Sequence, residues 1–186
     1  MSKKVFDVRK LVFSAVCIAL STVSANLLSF HLPFGGSITF FSMFFICFAG
    51  YMYGPAVGIS AAVAHGLLQF ISNPYIVHPI QVILDYFLAF GALGISGFFH
   101  NRKHGLYTGY IAGVLGRLFF ACISGAIFFT EYTGSVMDNF AAVMSGVIYN
   151  LTYIGPEMVV TIGVLLIPHV RNAVNYVKKI ANSQAN

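Results

Sequence analysis

The chain has 186 residues, of which 58% are hydrophobic and only 8% charged, with a formal net charge of +5. Soluble domains carry roughly 25% charged residues, so a water-soluble globule of this size would lack the polar side chains to cover its surface. Composition therefore excludes a soluble enzyme and points to an integral membrane protein. The positive charge is not a nucleic-acid signature, because the basic residues sit in short clusters flanking apolar runs.

A spanning helix needs roughly 20 apolar residues, so this length holds about six spans in one bundle, with no second soluble domain. The predicted fold is an all-α membrane protein, a single domain over residues 1–186. "MSKKVFDVRK" is basic, but the run after it is long enough to span and lacks an A-x-A cleavage site. Span 1 is expected from Leu11 to about Phe30. "HLPFGGS" breaks it with Pro33, Gly35 and Gly36. Span 2, a short one, covers about Ile38 to Met52, and "YGP" turns the chain at Gly54 and Pro55. Span 3 runs from about Ala56 to Ile71, and "SNPYIVHP" forms a loop. Span 4 runs from Ile80 to Phe99, and "HNRKHG" is a basic turn. Span 5 runs from about Leu106 to Phe129, with the polar loop "TEYTGSVMDN" after it. Span 6 runs from about Phe140 to Ile167, with Pro156 a candidate kink. A polar, basic tail follows.

Lys and Arg fix the orientation. Lys3, Lys4, Arg9 and Lys10 precede span 1, Arg102 and Lys103 join spans 4 and 5, and Arg171, Lys178 and Lys179 follow span 6. The loops after spans 1, 3 and 5 carry neither residue. Both termini are thus expected in the cytoplasm of a multi-pass cell-membrane protein, with those three loops together on the outer face.

Ionisable groups inside a bundle are functional candidates. Asp85 lies about two turns below the outer end of span 4. Gln81 is four residues earlier on the same face, Tyr86 is adjacent, and Tyr75 is in the loop above. A carboxylate beside an amide and phenols suits an organic cation or a ring presenting N–H donors; the plainer reading is a helix-to-helix hydrogen bond. In span 6, Asn150, Tyr153 and Glu157 share a helix face flanked by Tyr149. An ion pair with Arg117 of span 5 is the preferred reading of Glu157. Gly125 of "ISGAIFF" allows close approach of a helix or ligand, and Phe128 or Phe129 can stack on a flat ring. His65 reads as a bonded interhelical histidine. Ala15 and Ala19, four apart on span 1, allow close helix packing within the bundle or with another chain. Cys17, Cys47 and Cys122 read as buried hydrophobes with no metal-ligand spacing.

No phosphate-binding G-x-x-x-x-G-K-[ST], HExxH, GxSxG or CxxC pattern occurs. The chain reads as a binder or transporter with no cofactor, not as an enzyme.

The strings "FGGSITFFSM", "GPAVGISAAVAHGLLQ", "HPIQVILDYFLAFGALGISGFF", "ISGAIFF" and "YNLTYIGP" cover nearly the whole chain in order. Together they resemble the thiamine-specific substrate-binding component (S-component) of energy-coupling factor transporters. The resemblance implies six membrane helices capturing a vitamin from outside for ATP-driven uptake. It also implies partners: a transmembrane coupling protein and two ATP-binding subunits, with Ala15 and Ala19 docking on the coupling protein. It assigns Asp85, Tyr86, Tyr75, Gly125, Phe129 and Asn150 to the substrate site. Two ligand-facing positions depart from the family pattern: Ala121 stands where the family has a histidine, and Ser145 where it has a tyrosine. Three readings follow. The first is thiamine capture. The second is the same scaffold holding a hydroxymethylpyrimidine or similar vitamin precursor. The third is a self-sufficient proton-coupled carrier using His65, Asp85 and Glu157.

Overall fold

A computed structural model describes residues 8–133 and 139–182, with side chains for residues 8–128 and 140–181. Helix α1 spans Val8–Leu27. A two-stranded antiparallel hairpin follows, β1 (Ser29–His31) and β2 (Ser37–Thr39), with Phe30 opposite Ile38. Then come α2 (Ser42–Tyr53), α3 (Pro55–Ser72), α4 (Pro79–Phe99), α5 (Gly105–Thr133), α6 (Asn139–Leu166) and α7 (Pro168–Asn182).

Five of these helices, α1, α3, α4, α5 and α6, are long and apolar enough to cross a membrane. The second predicted span differs. Helix α2 has 12 residues, about 18 Å at 1.5 Å per residue, against a hydrocarbon core of about 30 Å. The residues expected to begin it form β2 instead. The hairpin also shortens span 1, which ends at Leu27. Phe34 in its turn and Phe41 at the junction with α2 both hold positive φ, 64° and 62°, the left-handed region that non-glycine residues seldom enter. The tail also differs from expectation, since residues 168–182 form a seventh helix.

Helix α4 is irregular along its length. It starts as an α-turn at Pro79–Val82, widens to a π-helix over Ile83–Ala89 and tightens to a 3-10 helix over Ala92–Phe99. In a 3-10 helix, residues three apart eclipse one another. Gly94 and Gly97 therefore share one edge, and that edge meets α3 backbone to backbone. A Cβ on Gly94 would lie 2.5 Å from Ile59 Cα, and one on Gly97 2.5 Å from Pro55 Cα. On the next edge, Gly109 and Gly113 of α5 bring that helix onto the carbonyls of Ser96 and Leu93, where added Cβ atoms would sit 2.8 and 2.9 Å away. Small residues thus hold α4 between α3 and α5 by close packing, the means of helix association inside a bilayer.

The two ends of the bundle differ in character. At one end, α7 reaches the α4–α5 turn: Lys178 Nζ donates to the His100 carbonyl oxygen at 3.0 Å and lies 3.7 Å from the Tyr51 ring centre. At the other end, the hairpin and the α3–α4 loop gather over a cavity.

Candidate functional site

The cavity has a volume of about 120 Å³ and is lined from the hairpin, the α3–α4 loop and helices α1 to α6. That is about ten times the space one water requires, so the cavity suits a small organic molecule.

Its acidic group is Asp85, in the π-helical part of α4. The wide turn of a π-helix departs from the ordinary i+4 ladder, and such segments recur at functional sites. Gln81 Nε2 donates to Asp85 Oδ2 at 2.6 Å, and Gln81 Oε1 accepts from the Val77 backbone N–H at 3.3 Å. The backbone bond holds the amide oxygen on one side, which turns its N–H donors toward the carboxylate. Gln81 is almost fully buried, so this orientation is held by packing as well.

Tyr86 staples the loop above. Its hydroxyl donates to the Asn73 carbonyl oxygen at 3.0 Å and accepts from the Tyr75 N–H at 2.9 Å. Tyr75 lines the cavity, and its ring packs against Gly35 so closely that a Cβ there would lie 2.7 Å from Tyr75 Cγ. Gly35 has φ +85° as well, so the turn needs glycine for both conformation and space.

Tyr149 holds the hairpin from α6. Its hydroxyl donates to the Pro33 carbonyl oxygen and accepts from the Gly36 N–H at 2.8 Å. The α3–α4 loop and the hairpin are thus each fixed over the cavity by a tyrosine from a different helix.

Arg117 was expected to pair with Glu157, and the structure corrects this. Its guanidinium carbon lies 4.3 Å from the Phe90 ring centre, within the range of a cation–π contact, and it lines the cavity. Glu157 instead accepts from Thr39 Oγ1, from Ser42 Oγ at 3.2 Å and from the Met43 N–H at 2.9 Å. A carboxylate at the first N–H groups of α2 satisfies donors that have no partner within that helix and faces the positive end of its dipole. Glu157 thus anchors a short helix through these hydrogen bonds, while Arg117 stacks on Phe90 at the cavity wall.

Asn150 lines the cavity, yet both its amide hydrogens are used within the protein, by Ala121 O at 3.0 Å and Gly146 O at 2.8 Å. Its oxygen accepts from Tyr153 OH. Gly125 also lines the cavity and meets Gly146 where α5 crosses α6: a Cβ on Gly146 would lie 2.7 Å from the Gly125 carbonyl carbon. Ala121 faces the cavity, whereas Ser145 is half-buried and does not line it. Phe129 lies in α5, but its side chain falls outside the described residues, as do residues 134–138 of the stretch expected as a polar loop. Ala15 and Ala19 are exposed on the outer face of α1.

His65 is the interhelical residue expected of it: its ring nitrogens lie 3.2 Å from Ser21 Oγ and 3.3 Å from Thr22 Oγ1 of α1. Sequence reasoning missed the hairpin residues and assigned Arg117 elsewhere. The signal for the hairpin was "PFGGS", read only as a break.

The family model described as "Thiamine transporter protein (Thia_YuaJ)" matches residues 11–177. The chain belongs to that family. A protein of Bacillus subtilis (strain 168) named "Thiamine transporter ThiT" is 32% identical over 163 residues, covering 80% of this chain and 82% of its own length. The solved structure of ThiT from Listeria monocytogenes superposes with a TM-score of 0.59 at 19% identity, covering 95% of this chain and 93% of the other. That likeness establishes the fold. The family is one of multi-pass membrane transporters, so the chain is a transport protein and not an enzyme.

Proposed function

We propose that this protein is a substrate-binding S-component that captures thiamine at the outer face of the cell membrane. The observation that carries the proposal is the Gln81–Asp85 pair, aimed into a cavity that is roofed by the hairpin and the Tyr75 loop. Thiamine joins a cationic thiazolium to an aminopyrimidine. Asp85 would accept from the aminopyrimidine donors and offset the cation's charge. Tyr75 and Tyr86 would close the outer end. The Phe90 ring, with the Arg117 guanidinium stacked on it, forms part of the wall of the site. Asn150 acts through its oxygen and through the position it gives α5 relative to α6.

Uptake would be driven by a separate ATP-binding module through a transmembrane coupling protein. Support comes from the lack of a nucleotide-binding motif in the sequence and from the exposed Ala15 and Ala19 on α1. The membrane domain then works as one unit, residues 1–186, with both termini in the cytoplasm.

Isothermal titration of the purified protein with thiamine tests the proposal, and absence of binding would overturn it. A second reading, a hydroxymethylpyrimidine or similar precursor, is favoured by one observation. Ala121 faces the cavity where the resemblance calls for histidine, so one polar contact to the ligand is replaced by a methyl group. Competition between thiamine and the free aminopyrimidine distinguishes the two. Uptake into vesicles by the chain alone, driven by a proton gradient, would instead establish a self-sufficient carrier.

A further inference from the structure

Helix α7 divides into three faces. Val170, Val174 and Ala181 pack against the core beside α1 and α2. Arg171, Asn175 and Lys179, spaced four apart, are exposed on a polar face. Ala173, Tyr176 and Ile180 form a third stripe that is exposed and apolar, with Tyr176 65% exposed. Just before the helix, Leu166 and Ile167 are also exposed, at 64% and 46%. Exposed apolar residues thus run to the end of the membrane-spanning α6, and the exposed His169 heads the stripe one turn before Ala173. Pro168–Asn182 contains no acidic residue, and Lys178 binds the α4–α5 turn, bringing α7 beside Arg102 and Lys103.

We infer that α7 lies in the headgroup layer at the basic end of the bundle. Its Ala173–Tyr176–Ile180 stripe is buried among the upper acyl carbons, and Arg171 and Lys179 bind anionic lipid headgroups. A helix with one apolar and one basic face takes this position at a membrane surface, and its affinity rises with anionic lipid. Tyrosine suits that boundary because it has an apolar ring and a polar tip. Two features favour lipid over a protein partner. The stripe follows closely on Leu166 and Ile167, exposed at the end of a membrane-spanning helix, with only Pro168 and the exposed His169 between. The charge on the adjacent face is of one sign, complementary to an anionic leaflet.

The chain contains no tryptophan, so Tyr176→Trp introduces a sole reporter. The full-length variant is placed in bilayers of zwitterionic lipid alone, or of zwitterionic lipid mixed with phosphatidylglycerol. Quenching is read with lipids brominated at the upper acyl carbons and with aqueous acrylamide. The expected result is loss of emission to the brominated lipid, protection from acrylamide, and stronger quenching by brominated lipid when phosphatidylglycerol is present. The Asn175→Trp reporter, on the polar face, is expected to stay open to acrylamide. The Arg171→Gln/Lys179→Gln pair is expected to abolish the dependence on phosphatidylglycerol. A Tyr176→Trp reporter that acrylamide reaches freely in every bilayer overturns the inference. So does one shielded only when a partner protein is added, which would make the stripe a protein interface. Equal quenching in both lipid mixtures overturns the role of Arg171 and Lys179.

Discussion

Gln81 donates to Asp85 at 2.6 Å across one turn of α4, and the Val77 N–H fixes which way the Gln81 amide faces. The carboxylate is therefore held in place before any ligand arrives. Preorganisation of this kind lowers the ordering cost of binding.

Asp85→Asn removes the charge and leaves the shape. Hydrogen bonds to charged groups contribute about 1.5–3 kcal/mol, so thiamine affinity should fall on the order of ten- to a hundredfold. Isothermal titration reads this directly. Unchanged affinity would remove Asp85 from the site. Gln81→Ala should weaken binding less, because it loosens the carboxylate without removing it.

Tyr149→Phe deletes the hydroxyl that bridges Pro33 and Gly36. Each such bond is worth about 1 kcal/mol, enough to release the hairpin without unfolding the bundle. Hydrogen exchange over residues 33–37 should quicken several-fold, on the order expected from that loss. If exchange there is unaltered, Tyr149 does not restrain the hairpin.

Glu157→Ala leaves Thr39, Ser42 and the Met43 N–H without their shared acceptor. Thr39 and Ser42 still bond each other, but the Met43 N–H loses its acceptor, and a buried group so orphaned costs about 1–3 kcal/mol, so the melting temperature should drop. Glu157→Gln keeps one acceptor oxygen and should recover part of the loss. Arg117→Met should leave stability closer to the parent, since Arg117 stacks on Phe90 and does not supply Glu157 with these bonds. A collapse of equal size in Arg117→Met would show that the two charges act as a pair.

Gly146→Val tests the α5–α6 crossing. The first added carbon already meets the Gly125 carbonyl carbon at 2.7 Å, so the helices must separate. Overpacking of this kind costs about 1–3 kcal/mol. Asn150 bonds across the same crossing, so thiamine binding should weaken together with stability. Gly163→Ala, where an added Cβ meets nothing within 4 Å, is the control: it should leave binding unchanged and stability no lower, since alanine favours a helix interior over glycine by about 0.5–1 kcal/mol. A Gly146→Val protein as stable as the parent would mean that α5 and α6 do not meet there.

Sequence by itself determined the membrane class, the five long apolar helices, and Asp85 with Gln81 and Tyr86 as neighbours. These follow from local rules: apolar run length, Pro and Gly punctuation, and the four-residue helical repeat. Tertiary structure alone decided which distant groups meet. Glu157 and Thr39 are 118 residues apart, and no periodicity within α6 could reveal that the carboxylate would cap α2 and not pair with Arg117. The hairpin escaped for a related reason. Its strands have three residues each, too few to show an alternating pattern, and it is held by Tyr149 from the far end of the chain. The faces of α7 do follow a helical repeat in the sequence, Val170, Val174 and Ala181 against Arg171, Asn175 and Lys179, but which face meets the bundle does not. Its charges read as a tail until packing of Val170 and Val174 against the bundle left one apolar stripe outside.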